Sequence, residues 1–420
     1  MVRYASAFAL SALLHGAPAL GAPLMIGSSS TNVVSAWHDI AAATYSGAGT
    51  MSATIEEKRP VVYADMATVA IAMYDAASAV DGRYQPFGAA VPAPAPGASM
   101  DAAVGAAAYG VLRGLFPGRR AHYQGAYETF VGKLAPGPAR ERGIALGAEV
   151  AAATLALRAR DGRDTAVPIY KPGTAVGQYQ GAKAVLMFGP SMRPFALSRV
   201  EQFRPGPPPP MSSAAYAADF NETKALGGSS SRVRTAAQSQ VALFNTEGPI
   251  TSLTRNFGRL ARSTADPADA ARLLAAAYVV NADATMACFD AKYHYKAWRP
   301  HSAIAQADRD DNAETTADPA WRSSQFTPYH PEYPAAHSCA SGGLAGVLRH
   351  LYGRNEVSFM FDSNVTNTAH TYADLDAYLR ESTEARIHAG VHFRFSTVAG
   401  QKLGSDVADY VMRRHFGPRK

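Results

Sequence analysis

The chain has 420 residues, which is long enough for one large domain or two ordinary ones. Apolar residues make up 47% and charged residues 18%, which excludes a disordered chain, and the abundance of alanine over isoleucine favours helices over sheets. The formal charge of +6 comes without a Lys/Arg run or a basic and aromatic repeat, so we predict no nucleic-acid partner.

Residues 1–21 have the layout of a secretory signal peptide. Arg3 supplies a charge before a short apolar run over residues 4–14, and the small residues at 19–21 suit a cleavage site. This layout predicts a secreted or periplasmic protein; the alternative is a plain N-terminal helix buried in the fold. The apolar run is too short to cross a bilayer and no later stretch is long and apolar enough, so we predict no integral membrane span.

Residues 22–260 are predicted to form a helical region interrupted by one long loop. Apolar residues recur at helical spacing, and Pro or Gly marks most boundaries. The predicted helices cover residues 33–43, 62–80, 101–115, 121–134, 138–159, 213–226 and 235–245. Between 166 and 211 the helical period fades, and the proline run 204–210 is predicted to be extended. Loops of this length are typical of functional covers; a domain linker is the alternative.

Residues 261–420 are predicted to form a second helical region. Asp266 and Pro267 begin a long helix that runs to about Trp298. Helical spacing returns over residues 338–352, at Tyr372, Leu375 and Leu379, and over residues 403–412. Alternating strand patterns are few and no repeat of fixed period is present. The sequence therefore predicts an all-α protein.

The chain contains two cysteines, Cys288 and Cys339, which is too few for a disulfide framework. In an exported protein a single bridge would join the segments that carry them. Two buried free thiols are the equal alternative.

A basic and aromatic segment lies at residues 292–300, with the sequence KYHYKAWRP. Lys292, Lys296 and Arg299 stand at i, i+4 and i+7, so on a helix they share one face. Like charges at this spacing repel, and the aromatic residues among them predict partial burial, which a cation tolerates only with a partner. The segment predicts a pocket for an oxyanion, with Lys296 and Trp298 in its wall; a solvated basic face is the alternative.

A proline-rich turn at residues 329–343, YHPEYPAAHSCASGG, carries two histidines. Its second half looks like the start of a helix, whose free N–H groups and partial positive charge suit an anion. His337 beside such a site would exchange a proton near neutral pH, and His330 would line the mouth. Two structural histidines are the alternative.

The segment at residues 386–392, RIHAGVH, places His388 and His392 four residues apart, on one side of a helix. One hypothesis is a metal-binding pair, although the zinc-protease form needs a glutamate where Ala389 stands. In the other, Arg386 holds an anion that His392 attacks or coordinates. A solvated basic helix end is the third alternative.

In this order the three segments resemble the vanadium-dependent haloperoxidase and type 2 phosphatidic acid phosphatase superfamily. The pattern of that superfamily is K-x6-R-P, then P-S-G-H, then R-x5-H. It is matched here by Lys292 with Arg299 and the proline after it, by residues 334–337, and by Arg386 with His392.

The resemblance covers residues from about 270 to 415. It implies a helical bundle of the acid phosphatase and vanadium haloperoxidase type, with residues 261–420 as the catalytic core. The helices of residues 22–260 look like the extension of the haloperoxidase-like branch.

Carried over by position, the resemblance implies a role for each residue of the pattern. Lys292, Arg299 and Arg386 would bind the equatorial oxygens of vanadate or phosphate. His392 would be the axial ligand of vanadium, or the nucleophile towards phosphorus in a phosphatase. His337 would be the acid and base beside the apical oxygen.

Three positions depart from the superfamily pattern, and a fourth position bears on the identity of the halide. Ala335 replaces the usual serine and so lacks its hydroxyl, whereas Ala336 replaces glycine and keeps its N–H for the anion. Ser396 stands where many phosphatases have an aspartate, so the orientation of His392 must come from another residue. At the position of His330, chloroperoxidases tend to have phenylalanine and bromoperoxidases histidine, which implies bromide or iodide.

The resemblance thus implies a vanadate-dependent haloperoxidase in which hydrogen peroxide oxidises halide, bromide favoured, to hypohalous acid. Vanadate would be the cofactor, and peroxide, halide and an organic acceptor the small-molecule partners. One alternative is an acid phosphatase that acts on a phosphate ester through a phosphohistidine at His392. The other is a non-catalytic anion-binding helical protein. The sequence predicts no oligomeric state.

Overall fold

The computed structural model describes residues 24–25, 31–46, 62–88, 92, 95–165, 169–185, 187 and 191–419. The predicted signal peptide, residues 1–21, lies outside the described residues. Helices dominate, and the predicted all-α class is confirmed. Within the described part of the chain, no helix has both the length and the hydropathy needed to cross a membrane.

Five helices form the N-terminal part of the fold. They are α1 (Val33–Ser46), α2 (Val62–Asp81), α3 (Met100–Leu115), α4 (Arg120–Val131) and α5 (Pro138–Arg158). Ser99 caps α3 by accepting a hydrogen bond from the N–H of Ala102, and Pro138 begins α5, where its missing N–H costs no helical hydrogen bond. These helices agree with the predicted ones to within a few residues at their ends.

Eight helices follow in the rest of the chain. They are α6 (Ala214–Gly227), α7 (Ala236–Phe244), α8 (Pro249–Arg262), α9 (Pro267–Tyr295), α10 (Pro300–Ala305), α11 (Ala336–Tyr352), α12 (Leu375–His388) and α13 (Arg394–Arg414). Short 3-10 turns lie at Pro117–Arg119, Val200–Phe203 and Ala307–Arg309. Helix α9 ends at Tyr295, earlier than the predicted end near Trp298.

The described part of the long loop, residues 166–211, is bound along α9. Three consecutive N–H groups, from residues 195–197, donate to the buried carboxylate of Asp283 at 2.7, 2.8 and 3.0 Å. Further along α9, Arg204 forms an ion pair with Asp290 at 2.7 Å. These contacts hold the loop on the core helix, which fits a cover better than a free linker.

Helices α11 and α13 approach each other through small residues. A Cβ atom at Gly404 would lie 2.0 Å from the carbonyl oxygen of Cys339, so only glycine fits there. At the same end of the helix pair, the N–H of Ala335 donates to the carbonyl of Ser396 at 3.0 Å. This close packing places the first turn of α11 beside the chain that leads into α13.

The structure also contains a small sheet, which the sequence did not predict. Two of its strands lie between α11 and α12 in the chain. Its strands are β1 (Leu24–Met25), β2 (Val357–Ser363) and β3 (Thr368–Tyr372), with β1 parallel to β2 and β2 antiparallel to β3. Phe359 of β2 stands opposite Tyr372 of β3, with their ring centroids 5.3 Å apart. The helical spacing predicted from Tyr372 onward is therefore wrong at its start, because α12 begins only at Leu375 after Asp374 caps it.

One hydrophobic core extends through both regions predicted from the sequence. It contains Trp37 and Tyr74 from the N-terminal helices as well as Leu274 and Leu348 from α9 and α11. The predicted boundary at residues 260/261 lies inside α8.

Cys288 and Cys339 are both buried free thiols. Of the two alternatives left by the sequence, the structure therefore has the thiols and not the bridge. The sulfur of Cys288 lies 3.8 Å from the carbonyl oxygen of Pro334, in the turn before α11.

Candidate active site

Helix ends and loops of the C-terminal region bring the three sequence segments together. Lys292 lies in the last turn of α9, and Arg299 directly precedes α10, which Pro300 begins. His337 lies in the first turn of α11. Arg386 lies in the last turn of α12, and His392 follows in the connection to α13.

Arg299 joins the three segments through hydrogen bonds. Its side chain is fully buried, and its Nε donates to the carbonyl of His330 at 2.8 Å. Nη1 donates to the carbonyl of Val391 at 2.7 Å and lies 3.1 Å from Nε2 of His392. Nη2 lies 2.9 Å from Nδ1 of His330. The guanidinium thus fixes both histidine segments relative to the end of α9.

Lys292 and Arg386 are buried with backbone partners only. Nζ of Lys292 donates to the carbonyls of Pro331 and Glu332 at 2.9 and 3.0 Å. Arg386 donates through Nη1 to the carbonyl of Asn245 at 3.1 Å, and its buried Nε has no hydrogen-bond partner among the described residues. Both cations therefore keep donor capacity for another acceptor.

The positive charges of this site are only partly compensated, by the nearby carboxylate of Glu332. Within the described residues, no carboxylate forms an ion pair with Lys292, Arg299 or Arg386. Burial lowers the pKa of Lys292 to about 8 and that of Arg299 to about 10. Burial, together with the charge of Arg299, lowers the pKa of Arg386 to about 9. Buried cations are stable only with a counter-charge, so the arrangement is suited to an anion.

Glu332 orients His392 and was missed by the sequence prediction. Nδ1 of His392 lies 2.9 Å from Oε1 of Glu332, which also accepts the N–H of Phe393 at 3.0 Å. Because Oε1 accepts the backbone N–H, the imidazole donates from Nδ1 and turns the lone pair of Nε2 towards Arg299. The hydroxyl of Ser396, at the position of the phosphatase aspartate, donates to the backbone carbonyl of Glu332 at 3.3 Å.

Glu332 is fully buried, and burial raises its pKa to about 7, although the charges of Lys292 and Arg299 act in the opposite direction. Its Oε2 has no hydrogen-bond partner in the described chain. The only local signal for this residue is a carboxylate between two prolines at residues 331–334, which by itself does not indicate its partner.

His337 lies at an uncapped helix start. Ala335 precedes α11 without a side-chain hydrogen bond, so the first N–H groups of the helix, including that of Ala336, lack a capping acceptor. The hydroxyl of Ser338 is also buried without a partner among the described residues. Like the nearby cations, these N–H and hydroxyl groups lack an acceptor. A bound oxyanion would supply one.

The histidines of the site are neutral at neutral pH. Burial lowers the pKa of His337, His392 and His330 well below the ordinary value, and the neighbouring cations lower it further. The cations that act on His337 are Arg386, Lys292 and Arg299. A neutral imidazole offers a lone pair, either to a metal or to a proton.

Two residues predicted for the pocket wall lie elsewhere. Lys296 follows the end of α9 in the left-handed conformation (φ 50°), and its side chain is exposed. Trp298 is buried in a separate hydrophobic cluster with Tyr216 and Phe220 of α6. The prediction assumed one helix through residue 298, whereas the chain turns after Tyr295 and directs these side chains away from the site.

The predicted metal-binding pair is not supported. Helix α12 ends at His388, and Gly390 adopts a positive φ of 73°, so His388 and His392 do not share a helix face. The described residues contain no group of three or more His, Cys, Asp or Glu side chains placed to hold a metal ion. The site therefore has the hydrogen-bond donors of an oxyanion site, and one imidazole, that of His392, is available to the central atom of the anion.

These donors fit vanadate. Two of the three cations keep free donors, the start of α11 offers N–H groups, and Nε2 of His392 is the available ligand atom. Ala335 offers no hydroxyl, and Ala336 keeps the N–H that the anion needs. Phosphate has the same shape and the same requirements.

Comparison with known proteins points to one family. Residues 272–417 match the family described as the VCPO second helical-bundle domain. The vanadium chloroperoxidase of Curvularia inaequalis is 31% identical over 103 residues, which are 22% of this chain and 16% of that enzyme. The chain thus spans well under two thirds of the length of this relative.

Solved structures of bacterial enzymes share the fold. A bacterial vanadium-dependent iodoperoxidase superposes with a TM-score of 0.72 and 22% identity, over 93% of this chain and 99% of that one. A holo-type bacterial vanadium-dependent chloroperoxidase gives 0.70 and 13%, over 92% and 98%. At these identities the likeness establishes the fold alone. With the match of residues 272–417, it confirms the resemblance found in the sequence: these residues are similar to the VCPO second helical-bundle domain, and the chain has the helical fold of the vanadium haloperoxidases.

Proposed function

We propose that this protein is a vanadate-dependent haloperoxidase that uses hydrogen peroxide to oxidise halide, with bromide favoured. The observation that carries the proposal is the group of three buried cations without a carboxylate partner, Lys292, Arg299 and Arg386, around the neutral imidazole of His392. The family of residues 272–417 supports vanadate as the anion. The sequence layout of residues 1–21 adds a secreted or periplasmic location to the proposal.

In the proposed reaction the protein holds the anion and moves a proton. Lys292, Arg299 and Arg386 donate to the oxygens of orthovanadate and neutralise their charge. Nε2 of His392, whose ring is fixed by the contact of Nδ1 with Glu332, would hold the vanadium. Vanadate, when bound, supplies a Lewis-acid centre that activates peroxide towards halide. The neutral imidazole of His337 accepts the proton that hydrogen peroxide loses.

His330 supports bromide as the halide. Its ring is buried between Arg299 and Phe289, with the ring centroids of His330 and Phe289 5.1 Å apart. In the superfamily, histidine at this position is typical of bromoperoxidases. The proposal therefore places the halide beside His330, close to the positive charge of Arg299.

A phosphatase is the second candidate, because one observation favours it. The Glu332–His392 pair has the geometry that a nucleophilic imidazole needs, with a carboxylate on Nδ1 and an unprotonated Nε2, which lies 3.1 Å from Nη1 of Arg299. In this candidate Nε2 attacks phosphorus within the same cationic site, and the ester oxygen leaves.

The two functions are separated by two parallel assays on the purified protein. In the first, bromination of a dye is followed with bromide and hydrogen peroxide, with and without orthovanadate. In the second, hydrolysis of an aryl phosphate is followed without vanadate. Bromination that requires vanadate supports the haloperoxidase, hydrolysis that vanadate inhibits supports the phosphatase, and neither activity supports a non-catalytic anion-binding protein.

A matched pair of lysine variants shows whether the site is the one described. Lys292→Met removes a buried cation of the site, and Lys296→Met removes an exposed cation four residues later. We expect the first to abolish orthovanadate binding measured by calorimetry and the second to leave it unchanged. His392→Ala should abolish whichever activity is found. Full activity in His392→Ala, or equal binding in the two lysine variants, contradicts the proposal.

A further inference from the structure

A chamber of about 270 Å³ adjoins the anion site. The two share a wall, because His330, Ala336 and His337 line the chamber. Six aromatic residues also line it: Tyr63, Phe244, Phe289, Phe361, Tyr372 and Tyr378. The volume is at the lower end for ligand pockets, which begin at roughly 300 Å³, so the chamber suits a small organic molecule.

One face of helix α9 gives the chamber its length. Asn281, Thr285 and Phe289, spaced four residues apart, all line it. With a rise of about 1.5 Å per residue, Asn281 lies roughly 12 Å along the helix from Phe289. Phe289 contacts His330 at the anion end, so Asn281 marks the far end of the chamber.

Asn281 is the unusual residue of this wall. It is only 3% exposed, and neither its Oδ1 nor its Nδ2 has a hydrogen-bond partner in the part of the chain that is described. Other polar residues of the wall have partners: Ser382 donates to Ser341 at 2.9 Å, and the amide of Asn245 donates to the carbonyl of Val241 at 3.0 Å. A buried amide without partners is destabilising, so its presence indicates a ligand that completes it.

The charges of the chamber wall favour a neutral ligand. The carboxylate of Glu247 accepts two hydrogen bonds from Arg255, at 2.7 and 2.6 Å, and Asp362 pairs with the same arginine and with Arg259. These carboxylates are therefore already neutralised by the protein. The free polar group at the far end is an uncharged amide that offers one donor and one acceptor side, and a hydroxyl group both donates and accepts.

We propose that the chamber binds a neutral hydroxylated aromatic molecule of one or two rings, with its hydroxyl on Asn281 and its ring among the aromatic side chains. The inference rests on the proposed function, which makes hypohalous acid at the neighbouring site. The halogen is transferred to a ring carbon: the carbon–halogen bond forms, the oxygen–halogen bond breaks, and the displaced ring proton joins the released hydroxide as water. The hydroxyl activates the ring, and the aromatic wall favours it over an aliphatic molecule.

Binding is tested without turnover, in the absence of vanadate, peroxide and halide. 2-Naphthol and naphthalene are titrated by calorimetry into the wild type, Asn281→Leu and the control Asn221→Leu, which changes an exposed residue of α6. We expect Asn281→Leu to weaken 2-naphthol binding by about tenfold or more and to leave naphthalene binding equal or tighter. Asn221→Leu should bind both as the wild type does.

Thermal unfolding distinguishes a loss of binding from a loss of folding in the variants. Because leucine removes a buried amide without partners, Asn281→Leu should unfold at the same or a higher temperature than the wild type without ligand. A second variant, Ala340→Leu, reduces the chamber volume and should weaken both ligands. Equal 2-naphthol affinity in the wild type and Asn281→Leu, or no binding in the wild type, overturns the proposal.

A turnover experiment separates this inference from the proposed function. 2-Naphthol and a soluble dye compete for bromination by the vanadate-loaded wild type and Asn281→Leu. Transfer inside the chamber predicts that the ratio of brominated naphthol to brominated dye falls in the variant to the ratio given by free hypobromous acid. An equal ratio in both proteins overturns transfer in the chamber, whereas naphthol binding without any bromination contradicts the proposed function alone.

Discussion

Two regions of the described chain hold wholly or partly buried cations, and the two differ in what neutralises these charges. Near the end of α5, Arg158 and Arg163 both pair with the buried carboxylate of Asp161, at 3.0 and 2.8 Å, and Arg163 also pairs with Asp65 at 2.5 Å. At the candidate active site, Lys292, Arg299 and Arg386 have no such partner among the described residues, and we call these three the anion-site cations.

The pKa shifts follow this difference only in part, because burial lowers the pKa of Arg158 in spite of its pairing with Asp161. Although burial acts in the opposite direction, the hydrogen bonds and charges of Asp161 and Asp65 raise the pKa of Arg163 above its ordinary value. All three anion-site cations have lowered pKa values, because burial dominates. The paired cluster therefore carries its own counter-charges, whereas the anion-site cations need an anion from outside to complete theirs.

The largest expected effect on stability belongs to the paired cluster. Asp161→Asn keeps the shape of the side chain but leaves Arg158 and Arg163 with much less counter-charge. We expect the free energy of unfolding to fall by about 3–5 kcal/mol, the usual result of breaking a buried ion pair. Urea denaturation at neutral pH measures it, and orthovanadate binding by the folded protein should be unchanged. A loss below about 1 kcal/mol would show that this cluster is not a structural ion-pair network.

The second prediction concerns the pH dependence of the anion-free protein. The pKa of Lys292 is about 8 in the folded state, below the value of about 10.4 in an unfolded chain. Between these pH values the unfolded state binds more protons, so the free energy of unfolding rises with pH, by on the order of 3 kcal/mol. Lys292→Met should not show this rise.

The comparison of wild type and Lys292→Met by urea denaturation from pH 7.5 to 10.5 isolates this lysine from the other titrating groups. Saturating orthovanadate or phosphate should flatten the wild-type curve, because a bound anion restores the charged form of the ammonium. Parallel curves for the two proteins would mean that Lys292 is not held as a destabilised cation.

The sequence predicts most helices and the three motif segments of the site well, because both depend on local patterns. The spacing of apolar residues and the positions of Pro138 and Pro267 give the helix starts directly. The three motif segments were expected to meet, and the bonds of Arg299 to the segments of His330 and His392 join them. The chemical roles of these residues remain predictions.

The sequence fails where distant contacts decide the structure. Lys296 and Trp298 were placed in the pocket because a continuous helix was assumed, but the burial of Trp298 against α6 turns the chain away. The strands of the small sheet are short and stabilised by aromatic contacts between them, which a local pattern does not show. Glu332 is 60 positions before its partner His392, and no spacing rule connects them.

Glu332 therefore gives the third prediction, on how the site is tuned. In Glu332→Gln the side-chain oxygen still accepts from Nδ1 of His392, but the carboxylate's charge is lost and an amide donor replaces the unpaired Oε2. Loss of a group that orients a metal-binding histidine usually weakens metal affinity by about 10–100-fold. We expect orthovanadate affinity to fall within this range, with a smaller effect on stability than Asp161→Asn. Glu384→Gln, a partly buried carboxylate of α12 that pairs with Arg394, is the matched control.

Nitrogen NMR distinguishes an orienting role from a merely structural one. If Glu332 fixes the tautomer of His392, the Nδ1–H signal of the wild type should be present in the anion-free protein and shifted or exchange-broadened in Glu332→Gln, while Glu384→Gln retains it. Unchanged affinity together with an unchanged imidazole signal would mean that the surrounding backbone orients His392 by itself. The lone pair of Nε2 would then depend on the hydrogen bond from Arg299, and the cations would both hold the anion and position its ligand.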